Sequence, residues 1–173
     1  MDIRRRRVLL IAKWFCYLLM FILAAVLQTM PGFLTIGGVK PVLILPLCLS
    51  VSLFVGEYIG AIFGAFGGLV WDLLSGRVMG FFAIGVMFSC FVVSVLAQLF
   101  LKENSTNLML MTAASMLFIT GYDFLFGYIM PGYSGVLAYY IRSILPMTIF
   151  TAAISPLILL CVKKIYTAFI FEE

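Results

Sequence analysis

Histidine is absent from this sequence. That removes the commonest metal ligand and the commonest general base together. Charge is scarce as well: Asp, Glu, Lys and Arg make up 10% of 173 residues, against the roughly 25% that a soluble domain carries. No G-x-x-x-x-G-K-[ST] loop, H-E-x-x-H pair or G-x-S-x-G serine occurs, so the usual phosphate-binding, zinc-hydrolytic and serine-nucleophile signatures are missing. The four cysteines, Cys16, Cys48, Cys90 and Cys161, lie singly in apolar runs and read as small buried hydrophobes. No metal, no cofactor and no catalysis are expected.

What the chain has is hydrocarbon. Apolar residues make up 65% of it and the mean hydropathy is +1.22. So few polar groups cannot cover a water-facing surface, and lipid must do so. The expectation is an all-α integral membrane protein, one membrane domain over residues 1–173. About six spans are expected, near 8–29, 41–55, 59–71, 80–101, 108–130 and 141–162, the second and third of them short. The first run is about 22 residues long, more than the roughly 7–15 of a signal-peptide core, and reads as a retained anchor. Met30-Pro31-Gly32, Gly56-Glu57-Tyr58, Ser75-Gly76-Arg77, the polar stretch Lys102 to Asn107 and Pro131 to Gly135 mark the breaks.

The placement of charge sets an orientation. Of the 11 Lys and Arg residues, all but Lys40, Arg77 and Arg142 fall on the side of the Arg4 to Arg7 cluster when six crossings are threaded. Basic residues mark the cytoplasmic side, so both termini are expected there. Replacing the two short spans by a re-entrant hairpin leaves the side of every other loop unchanged. The Arg run reads as an orientation signal, not as a nucleic-acid contact.

Two constellations stand out. Gly56, Gly60, Gly64 and Gly68 recur every four residues, which on a helix makes a slanted groove that a neighbouring backbone can enter. Packing within the chain and docking of a partner's membrane helix both fit it. Asp72 and Asp123 lie at membrane depth or its edge, where a carboxylate needs a partner. Arg77 and Arg142 are the expected partners, in a pairing the sequence leaves open, and a proton or substrate site is the competing reading. Gln28 and Gln98 read as interfacial; Trp14, Tyr17, Tyr58, Trp71, Tyr139 and Tyr140 read as an aromatic belt.

The segment GEYIGAIFGAFGGLVWDLLSGRVMG, residues 56–80, resembles the signature region of the rod-shape-determining protein MreD family, with Gly60, Gly64, Gly68, Asp72 and Gly80 at the matching positions. The basic N-terminus, the proline opening the second span and the short tail also fit. The resemblance implies a non-catalytic scaffold in the complex that organises lateral peptidoglycan synthesis in the bacterial cytoplasmic membrane. The partners it implies are the bitopic scaffold protein MreC and, indirectly, actin-like MreB and a peptidoglycan polymerase–transpeptidase pair. It also implies a fold similar to the six-helix S-components of energy-coupling-factor transporters. The alternative function is accordingly a vitamin-binding transporter subunit, with a pocket near Asp72, Asp123 and Arg142.

Overall fold

In hydrocarbon a chain satisfies its backbone only by closing hydrogen bonds within itself, and the apolar runs of this sequence do so as helices. The structure, a computed structural model, describes residues 3–32, 35, 38–76, 78–99, 105–130 and 139–170. Its helices are α1 (Ile3–Thr29), α2 (Ile44–Val55), α3 (Glu57–Ser75), α4 (Phe81–Leu99), α5 (Ser105–Phe124) and α6 (Leu145–Ile170). A π-helical turn, Leu125–Ile129, continues α5, and another, Tyr140–Ile144, leads into α6. Counting those turns, five helices are long and apolar enough to cross a membrane.

Several boundaries differ from those read in the sequence. The third span is not short. The break before it is confined to Gly56, at φ +96°, and the helix continues past Asp72 to Gly76, whose left-handed φ of +64° ends it. Among the described helices only α2, with 12 residues, falls short of a span. Ser105, Thr106 and Asn107, expected in a loop, form the first turn of α5, and Lys163 and Lys164 lie inside α6. The turn expected at 131–135, Arg77 and the stretch 102–104 lie outside the described residues.

The surface is apolar, unlike that of a water-soluble protein, and small hydroxyl residues join the large apolar side chains of the interior. Val8, Ile11, Phe15, Leu19, Ile62, Ile84, Phe88, Leu110 and Leu157 are exposed, while Ser50, Ser52, Ser94, Thr112, Thr151 and Ser155 are fully or almost fully buried. Large apolar residues facing outward and small hydroxyl residues between the helices are what lipid favours, because packing and hydrogen bonds join helices there. Pro156 fits the same logic. It cannot donate to the Ala152 carbonyl one turn back, and the Ser155 hydroxyl donates to that carbonyl instead, at 2.7 Å.

The short helix forms the centre. Ten of the 12 residues of α2 are buried, and it packs on each of the other five helices. At about 1.5 Å per residue it is roughly 18 Å long, against a hydrocarbon core of about 30 Å. Buried, non-helical Pro41 to Leu43 extend its reach by up to roughly 10 Å. Irregular backbone survives at membrane depth only where protein surrounds it and supplies hydrogen bonds. Here Val42 N–H donates to Thr151 Oγ1 at 2.9 Å, and Leu43 and Ile44 N–H donate to Gln28 Oε1 at 3.0 and 3.2 Å.

Consecutive helices run antiparallel. Ser52 faces Gly60 near the turn at Gly56, whereas Ile44 faces Gly67 farther along α3. Ala83 faces Gly68 and Cys90 faces Gly64. Lys13 over the Tyr166 ring, Phe54 against Tyr166, and Gln98 donating to Glu57 gather the start of α1, the end of α2, the start of α3 and the ends of α4 and α6 at one pole. This is the Arg-rich pole. Asp123, Tyr128 and Tyr139 lie at the other.

Candidate functional site

The glycine ladder faces inward. A Cβ on Gly60 would stand 2.5 Å from Ser52 Cβ in α2, one on Gly64 2.7 Å from Cys90 Sγ in α4, and one on Gly68 2.8 Å from the Ala83 backbone nitrogen. Gly67, outside the four-residue spacing, abuts Cys48 Sγ of α2. The helix therefore carries two glycine faces, one for α2 and one for α4, both filled within the chain. Gly56 stands apart: it is the left-handed turn between α2 and α3, with open space where its Cβ would be. Cys48 and Cys90 place their sulfurs in the notches that Gly67 and Gly64 leave. Cys161, by contrast, is exposed, not the buried filler expected from the sequence.

Asp72 is fully buried, and the partners it finds are backbone amides. Its carboxylate accepts from Gly80 N–H at 2.8 Å, Phe82 N–H at 2.8 Å and Ala83 N–H at 3.3 Å. These donors belong to the start of α4, whose first N–H groups have no partner within the helix. An anion there is favoured both by the charge-assisted bonds and by the helix dipole. Asp72 thus ties the end of α3 to the beginning of α4 across the loop between them. Trp71 beside it stacks on Phe82, rings 4.5 Å apart, and is buried instead of joining an interfacial belt, as is Tyr17.

Asp123 has a different setting. It is half-buried near the end of α5 and borders two cavities. The larger, about 310 Å³, lies between α3, α4, α5 and α6 and is lined by Trp71, Phe82, Thr120, Asp123, Tyr128, Tyr139 and Ser143 among others; the smaller, about 170 Å³, lies against Val78, Phe81 and Phe126. Neither Asp72 nor Arg142 lines the larger cavity. Arg142 is exposed on the π turn before α6, and Arg77 lies outside the described residues. Of the two cavities that Asp123 borders, neither counts Asp72 or Arg142 among its described lining residues.

A third feature was not legible in the sequence. α4 packs along α3 far more extensively than along α5. Tyr122 donates to the Phe81 carbonyl, Gly85 receives Tyr122 and Ile119, and Phe88 meets Phe118. Toward the Arg-rich pole, Ser94 and Gln98 hold α4 to α2 and α3. Between α4 and α5 a groove of about 180 Å³ remains, lined by Ser89, Val92, Val93, Leu96, Met111, Ala114 and Ser115 under Phe88 and Phe118. Among the described residues no cluster of His, Cys, Asp or Glu is arranged to hold a metal ion.

Long lipid-facing helices, hydroxyls turned inward, glycine-mediated packing and a capped buried aspartate define an integral membrane protein of the multi-pass helical class. Its particular kind is fixed by comparison. The profile of the family described as rod shape-determining protein MreD matches residues 9–169, and the chain belongs to that family. Its role accordingly lies in rod shape determination. No curated protein and no solved structure matches the chain, so the expected likeness to vitamin-transporter components gains no support.

Proposed function

We propose that this protein is a non-catalytic membrane scaffold of the cell-elongation complex, and that it receives the membrane helix of an MreC-like bitopic protein in the groove between α4 and α5. Through that partner it connects to actin-like MreB and to the peptidoglycan polymerase–transpeptidase pair. It sits in the bacterial cytoplasmic membrane with the Arg-rich pole, and so both termini, toward the cytoplasm.

The observation that carries the docking site is the divergence of α4 from α5. Both glycine faces of α3 are filled, so an incoming helix needs another small-residue surface; in the groove Ala114 is exposed, with Ser89 and Ser115 buried beneath it at the floor. Small residues allow the close approach on which helix association in lipid depends, and hydroxyls can bond across it. Co-purification with the MreC-like partner tests this. Ala114→Phe fills the groove and is expected to abolish capture without altering the thermal midpoint of the isolated protein. An equally bulky change on the outer face of α3, Ile62→Phe, is expected to leave capture intact. Undiminished capture by Ala114→Phe removes the groove from the account.

A further inference from the structure

The larger cavity at the pole opposite the Arg cluster is used neither by the glycine packing nor by the α4–α5 groove. Three independent observations meet there. Its volume of about 310 Å³ falls within the roughly 300–1,000 Å³ of small-ligand sites. Both π-helical turns of the chain that are described border it: Tyr128 belongs to the turn that ends α5, and Ser143 to the turn that opens α6. Single π turns interrupt regular α-helical hydrogen bonding and are frequent at functional sites, and here two of them, on neighbouring helices, reach one void. The described part of the wall is chemically one-sided. Among its described residues it holds one carboxylate, Asp123, and no Lys or Arg, with aromatic rings on either side: the Trp71–Phe82 stack at 4.5 Å and the Tyr128–Tyr139 pair at 5.4 Å.

We propose that this cavity binds an ammonium group, with Asp123 as the counter-charge and the aromatic pairs as its cage. A cation is attracted by the faces of aromatic rings, most strongly when desolvated. A carboxylate offers about four acceptor positions, so Asp123 can take an ammonium while keeping another contact. The inference goes beyond the scaffold reading and does not depend on it. The ammonium has two possible sources, the headgroup of an aminophospholipid or a free small amine, and the chemistry of recognition is the same.

The test uses the full chain with Trp14→Phe, which leaves Trp71 as the sole tryptophan and so as a reporter on the cavity wall. In maltoside micelles free of aminolipid, choline and ethanolamine are titrated while Trp71 emission is followed. The uncharged isostere of choline, 3,3-dimethyl-1-butanol, serves as the control. The expected result is a saturable change with an amine, absent with the alcohol, and weakened roughly tenfold or more in Asp123→Asn. A change seen only when phosphatidylethanolamine, and not phosphatidylglycerol, is doped into the micelles assigns the site to a lipid headgroup. Equal response to choline and to its neutral isostere overturns the proposal, as does silence toward all the amines and the aminolipid, or undiminished binding by Asp123→Asn. Should that variant fail to fold, the comparison of choline with the alcohol still decides.

Discussion

Replacing Asp72 with alanine removes one buried carboxylate and strands three amide groups, those of Gly80, Phe82 and Ala83. A hydrogen bond to a charged group contributes about 1.5–3 kcal/mol, and an orphaned buried donor costs about 1–3 kcal/mol. The Gly80 amide is only part-buried and recovers some solvation, and removing the carboxylate also removes its own desolvation cost. The net loss is therefore nearer 3–5 kcal/mol, in order of magnitude, than the sum of three bonds. In a chain of this size about 1 kcal/mol moves the midpoint by roughly 2–4 °C, so Asp72→Ala should lower it by about 10 °C. Asp72→Asn keeps one acceptor oxygen but turns an amide NH₂ toward an N–H, and should lose about half as much. The assay is thermal unfolding of the purified protein in detergent. If either variant is as stable as the parent, or more so, Asp72 is not the α3–α4 tie described above. A rise on neutralisation would mark it as a strained functional carboxylate.

Other predictions read on the same assay. Gly68→Ala should destabilise by several kcal/mol, because its Cβ meets the Ala83 backbone and backbone cannot move aside cheaply. Gly64→Ala should cost less and be partly rescued by Cys90→Ala, since its nearest obstacle is a side-chain sulfur; equal losses at both sites would contradict the packing. Gln28→Leu should cost about 2–4 kcal/mol by orphaning two amides, with Gln28→Glu much milder because an acceptor oxygen remains. Thr151→Val, nearly isosteric, should cost about 1–3 kcal/mol through the Val42 amide alone. No change in either Gln28→Leu or Thr151→Val would show that the lead-in to α2 is hydrogen-bonded some other way.

Residue chemistry foretold the solvent better than the contacts. The scarcity of charge and the long apolar runs indicated a lipid-solvated helical bundle, and five helices suited to a membrane are present. Helix ends were harder. Asp72 reads as a terminator because a polar residue commonly closes an apolar run, yet it stays inside α3, its carboxylate hydrogen-bonded by amides eight to eleven residues on. Gln28 reads as an interfacial side chain because its partners, Leu43 and Ile44, become apparent only when the chain folds back. The four-residue glycine repeat pointed to one groove, whereas Gly67, off that repeat, opens a second face toward Cys48. At the Asp123 cavity the sequence marked the carboxylate and suggested a pocket near it, but not the walls, since the π turns that border it leave no mark in residue type. The α4–α5 groove left none either, because it arises from how far two helices diverge.

Photo-crosslinking in living cells addresses the scaffold claim most directly. An unnatural photoreactive residue is placed in turn at Leu96 and Ala114 in the groove, and at Leu19 and Ile62 on outward-facing surfaces of α1 and α3. The groove positions should yield an adduct with the bitopic partner and the outer positions should not. Adducts confined to Leu19 or Ile62, with none from the groove, would contradict it.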